Sequence, residues 1–83
     1  MDAVECERKH LAQANRHIAA AKRQIEQQKN VIEKLAQAGQ EPNIAESLLY
    51  AMECGLDVFE QRRELIVETL KTLKTRKNRS ALR

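Results

Sequence analysis

Cys6 and His10 stand four residues apart, so a helix would set a thiol and an imidazole one turn apart on a single face. That pair is half of a zinc site, which takes about four such donors. His17 lies seven residues beyond His10, two turns away and too far to chelate the same ion. The chain holds only two histidines and two cysteines. A partner subunit would have to complete a metal centre, and Cys6, His10 and His17 read as surface residues. The acids do not gather beside a pocket, there is no Gly-rich phosphate loop, and no Ser or Cys has a plausible base. The expectation is therefore no catalytic residue, no metal, no cofactor and no small-molecule substrate: the chain is not an enzyme.

Two other chemistries remain. Residues 71–83 carry six cations and no acid, a balance of +6, while the rest of the chain sets nine bases against twelve acids. Lys71, Lys74, Arg76, Lys77 and Arg79 could contact phosphates with little sequence choice. The only aromatics are Tyr50 and Phe59, which argues against a binder of stacked single-stranded bases. The second chemistry is apolar. Ile44, Leu48, Ala51, Val58 and Leu65 form a stripe of hydrophobic surface, with Val31, Ala19 and Ala20 adding to it from the first half of the chain.

Helices must position both. Val4, Leu11, Ile18, Ile25 and Ile32 are spaced seven apart, and so are Ala45, Met52, Phe59, Ile66 and Leu73. Such spacing marks long helices packed along a shared seam. Asp2 suits an N-cap with Glu5 completing a capping box, and Gly39 is the natural residue just past the helix end. Glu41 then falls near the next N-cap with Pro42 at the first helical position. The sequence predicts helix 1 over about 2–38, a turn at 39–41, helix 2 over about 42–77 and a basic tail at 78–83, all in one domain. A short connection makes the helices antiparallel neighbours. The fold class is all-α, an αα-hairpin of two long coiled-coil-like helices, expected to dimerise into a four-helix bundle.

The lettering of the seam makes Leu49, Leu56, Arg63 and Leu70 the a positions of helix 2, while Ala14, Ala21 and Gln28 fall at d positions of helix 1. Small Ala14 and Ala21 leave room for Phe59 and Ile66. Arg63 either snorkels from the seam, pairs with Glu60 or Glu64, or sets the register, and Gln28 could do the last as well. The five acids of residues 41–60 would run beside Lys22, Arg23, Lys29 and Lys34, and the basic end beside Asp2, Glu5 and Glu7.

The set His10-Leu11, Ala14, Arg16-His17-Ile18, Ile25, Gln28, Ile32, Leu35, Gly39, Ala45, Leu48-Leu49 and Leu56 resembles a family of short, uncharacterised proteobacterial proteins with a helical-hairpin pattern. The resemblance covers roughly residues 10–70. It implies a helical hairpin in a bacterial cytoplasm and supplies no activity, so no functional residue is carried over. Pro42 and the basic end depart from the family pattern.

Cys6 and Cys54 would lie roughly 30 Å apart in a hairpin, which leaves only a bridge between chains open and suits a reduced cytoplasmic setting. No apolar run reaches membrane-spanning length and no signal-peptide pattern opens the chain, so no membrane partner is expected. A soluble monomer seldom leaves a contiguous apolar stripe open. The reading is a protein–protein interaction or structural hairpin. Its partner is a second copy or another protein, met through Ile44, Leu48, Ala51, Val58 and Leu65. The alternative is a small helical dimer that binds nucleic acid through its basic end.

Overall fold

The computed structural model describes the backbone of residues 2–81 and the side chains of residues 2–76. Two helices account for the fold: α1, Ala3–Gln37, and α2, Asn43–Ala81. They pack against each other as a helical hairpin measuring 70 × 16 × 15 Å.

Asp2 caps α1 as its side chain suggests: Oδ1 accepts from the Val4 N–H at 3.0 Å and its carbonyl accepts from Cys6 N–H at 3.1 Å. The interior of α1 has no Gly or Pro and is dominated by Ala, Gln, Lys, Arg and Glu, which lose little freedom on becoming helical. At the other end, Gln40 N–H donates to Leu35 O at 2.9 Å and Gly39 N–H to Ala36 O at 3.1 Å. These are the two bonds of a Schellman motif, and they require the residue past the cap to be left-handed. Gly39 takes φ +73° to supply that, with open space around it. We expect Gly39→Ala to cost about 1 kcal/mol through the left-handed penalty alone. The check is a lower urea midpoint at unchanged slope.

Two expected boundaries shift. Pro42 is the N-cap of α2, not its first helical residue, because its carbonyl accepts the first helical bond, from Glu46 N–H at 2.8 Å. Its fixed φ and missing N–H suit either place. The C-terminal shift is larger: α2 continues to Ala81 and does not stop near Lys77. Between Lys71 and Ala81 there is no glycine or proline to stop it, and like charges alone weaken a helix by only tenths of a kcal/mol. The segment expected to be a separate basic tail is, over residues 78–81, part of the helix.

The seam runs where the seven-residue spacing puts it. Ala14, Ile25 and Leu70 are 6%, 6% and 8% exposed, and the other seam hydrophobics are half-buried. The rings of His17 and Phe59 meet tilted at 45°, with centroids 5.5 Å apart. Two polar contacts set the register. Gln28 Nε2 donates to the Ala45 carbonyl at 2.9 Å, near the turn. Arg63 Nε donates to Asn15 Oδ1 at 2.7 Å, near the open end. The alternatives of snorkelling or pairing with Glu60 or Glu64 thus give way to a contact across the hairpin. Twelve residues separate Asn15 from Ala3, so α1 begins about level with Thr75 and α2 overhangs it by roughly 9 Å.

Candidate interaction surface

The packed hairpin has two long sides, and its charges are sorted between them. At 100° per residue, Glu46, Glu53, Asp57, Glu60 and Glu64 fall within about a 60° arc of α2. All but Glu46 line open grooves with α1, which Lys22 shares with Asp57 and Glu60, and Lys29 with Glu53. The expected charge match is therefore present as proximity for Lys22 and Lys29. For Lys22 and Lys29 it does not close into ion pairs between the helices. The close contacts of this kind among the described residues are all one turn apart on one helix: the ion pairs Glu26–Lys29 and Glu68–Lys71, each at 3.4 Å, and the Glu7–His10 hydrogen bond at 3.1 Å. Exposed pairs of this kind contribute little. Lys71 is thus held by its own helix and not by Asp2, Glu5 or Glu7.

About 160° round α2 from the acids lies the apolar stripe. Ile44 is 88% exposed, Leu65 69%, Val58 54% and Leu48 52%, with Ala51 also exposed. All five residues singled out for an interface thus share one solvent-facing arc. Val31 on α1 is 45% exposed. The groove beside the stripe is lined by Glu7, His10, Gln13, His17, Arg62 and Ile66 over Ala14. Arg62 is the one charged residue of α2 within the stripe between Ile44 and Leu65.

The stripe contains a residue that hydrophobicity alone does not reveal. Ile44, Leu48, Ala51, Gly55, Val58, Arg62 and Leu65 follow alternating steps of four and three, a second heptad seam beside the first. Gly55 is the middle member. Its signal in the sequence is its place in that spacing.

The metal reading finds no site: among the described residues no group of three or more His, Cys, Asp or Glu side chains could hold an ion. His10 turns its Nδ1 to Glu7, at a Glu-x-x-His spacing legible in the sequence, and not to Cys6. Cys54 is exposed, Cys6 half-buried, and no disulfide joins them. Of the candidate phosphate contacts, Lys71, Lys74 and Arg76 are exposed on α2, while the side chains of Lys77 and Arg79 lie outside the described residues. Arg76 lies about 140° round the helix from Lys71, so these cations encircle α2 and do not line one face. Among the described residues no helix is long and apolar enough to cross a membrane. Comparisons of the chain with family models, curated proteins and solved structures give no match.

Proposed function

We propose that the chain is a non-enzymatic assembly hairpin that joins a second copy of itself through the stripe of Ile44, Leu48, Ala51, Val58 and Leu65, making a four-helix bundle. The observation that carries this reading is the imbalance between core and surface. Among the described residues three are buried, none of them completely, while four large aliphatic side chains stand more than half exposed on one arc. The accessible surface is 6639 Å², against about 5,000 Å² for a compact monomer of this mass. The excess is about twice what one partner gives up in a standard interface, roughly 800 Å². A second copy is the simplest occupant, since a two-fold pair turns the same face toward itself. An exposed thiol at Cys54 suits a reducing compartment, and we place the assembly in the cytoplasm.

Nucleic-acid binding through the basic end has less support. The described cations wind around α2, and neither aromatic residue lies near them.

Light scattering coupled to size exclusion tests the proposal under reducing conditions at two concentrations. We expect the mass of two chains, near twice 9.5 kDa, with the single-chain mass growing on dilution. A single-chain mass at high micromolar concentration removes the second copy as the occupant.

A further inference from the structure

We infer that the two copies meet antiparallel along α2, with the two-fold axis beside Gly55, and that this glycine serves the close approach of the two helices. The inference rests on the homodimer reading above.

Glycine in a helix interior costs about 1 kcal/mol relative to alanine. Gly55 sits well inside α2, and the chain itself gives it no reason to be there. Its φ is not in the left-handed region, unlike that of Gly39. A Cβ built on it meets no atom within 4 Å. Neither backbone conformation nor intrachain packing calls for glycine. What remains is a backbone arriving from outside, on the face that Leu48, Ala51 and Val58 share with it.

The stripe is complementary to its own reversal. Setting Gly55 opposite the partner's Val58 brings Ala51 opposite the partner's Arg62 and Leu48 opposite the partner's Leu65. Ile44 then meets the partner's Thr69. Small faces large twice at the centre, as close packing requires. The aliphatic stem of Arg62 covers Ala51 while its head reaches the rim. A parallel pairing sets like on like: Gly55 against Gly55 leaves a gap, and Arg62 against Arg62 sets two cations together. Glu46, Glu53, Asp57, Glu60 and Glu64 stay on the far side of α2, so neither copy brings them into the seam, and Glu68 on its flank is engaged by Lys71.

The first helix agrees. The Arg63–Asn15 and Phe59–His17 contacts put Ala20 level with residues 56–58 of α2, which is the height of the axis. A second small residue therefore stands at the waist of the hairpin, with uncharged Gln24 and Gln27 beyond it.

Ser47, Cys54 and Glu68 lie on one flank of the stripe, seven and fourteen residues apart, and all three are exposed. With the axis between Gly55 and Val58, the two copies of position 54 are offset along the helices by roughly 7 Å, those of position 47 by roughly 28 Å and those of position 68 by roughly 34 Å. The experiment uses single-thiol full-length chains: Cys6→Ser, and Cys6→Ser/Cys54→Ser carrying either Ser47→Cys or Glu68→Cys. Each is treated with a short bis-maleimide at a concentration where light scattering reports two chains. We expect covalent dimers from Cys54 and none above background from the other two positions. Linkage at all three positions means a parallel pair, and linkage at none means another face; either overturns the inference while the homodimer stands. A single-chain mass in the parent instead removes the homodimer itself. Gly55→Leu provides the second arm, because leucine favours helix and its failure to dimerise cannot be blamed on unfolding. We expect at least a tenfold weaker association with helicity retained, and unchanged association overturns the assigned role of Gly55.

Discussion

Ile25→Ala is expected to remove most of the stability of the hairpin. Ile25 is one of three buried residues among those described, 6% exposed, and sits in the interior of α1 where the two helices face each other. Truncating a buried isoleucine to alanine costs about 2–5 kcal/mol, from the lost transfer energy and the cavity left behind. A chain of this size has a total stability of roughly 4–12 kcal/mol, and a core this thin places the hairpin toward the lower end. The substitution leaves helix propensity slightly better than before, so any loss comes from the seam and not from α1 itself. Urea melts followed by far-UV circular dichroism measure the effect. A Tyr50→Ala control truncates a side chain that is 72% exposed and lies outside the stripe. A midpoint for Ile25→Ala within about 1 kcal/mol of the parent would mean that the seam does not carry the fold.

The seam was readable because it depends on side-chain type at a fixed period. Each residue from Val4 to Ile32 and from Ala45 to Leu73 that the spacing assigned to it is buried or half-buried, Arg63 included. Gly39 was readable for a related reason, since the Schellman bonds leave few alternatives to glycine at that point. What escaped depends on rotamers and on competition between weak effects. The lettering places Arg63 in the seam but does not say whether its guanidinium turns to Glu60, Glu64 or Asn15. The structure sends Nε to Asn15, an uncharged group that a search for ion pairs passes over. Net charge correctly set Lys22 and Lys29 beside Glu53, Asp57 and Glu60. It could not say that the pairs stay open, because tethering two long side chains across a solvated groove costs about as much entropy as the contact returns. The end of α2 was misjudged because a run of cations looks like a tail, although a helix stops at glycine, proline or a cap and not at charge. Gly55 escaped because an apolar stripe is sought by adding hydrophobic residues, and glycine adds none. Only the four-and-three spacing of the second seam includes it.

Val58→Lys combined with Leu65→Lys should leave a chain that folds but no longer pairs. In the hairpin both side chains point to solvent, at 54% and 69% exposure. Lysine is as good a helix former as leucine and better than valine, so the isolated hairpin has no reason to lose helix. In a two-fold assembly the same substitutions place four ammonium groups in an apolar seam whose flanking carboxylate, Glu68, is already engaged by Lys71. Burying an unpaired charge costs several kcal/mol, and each 1.4 kcal/mol is tenfold in affinity. A thousandfold weaker association or more is the expected outcome, read as a fall from two-chain to one-chain mass at the same concentration. The matched control is Glu53→Gln with Glu60→Gln, on the opposite arc beside Lys22 and Lys29, which should leave the mass unchanged. The lysine substitutions separate two ways in which the thin core could be completed. A monomer that keeps its helicity means that the hairpin is a folded unit which then assembles. A monomer that loses helicity means that the second copy supplies part of the folding energy. A two-chain mass that survives both lysines would place the contact on another face and leave the stripe without the role assigned to it.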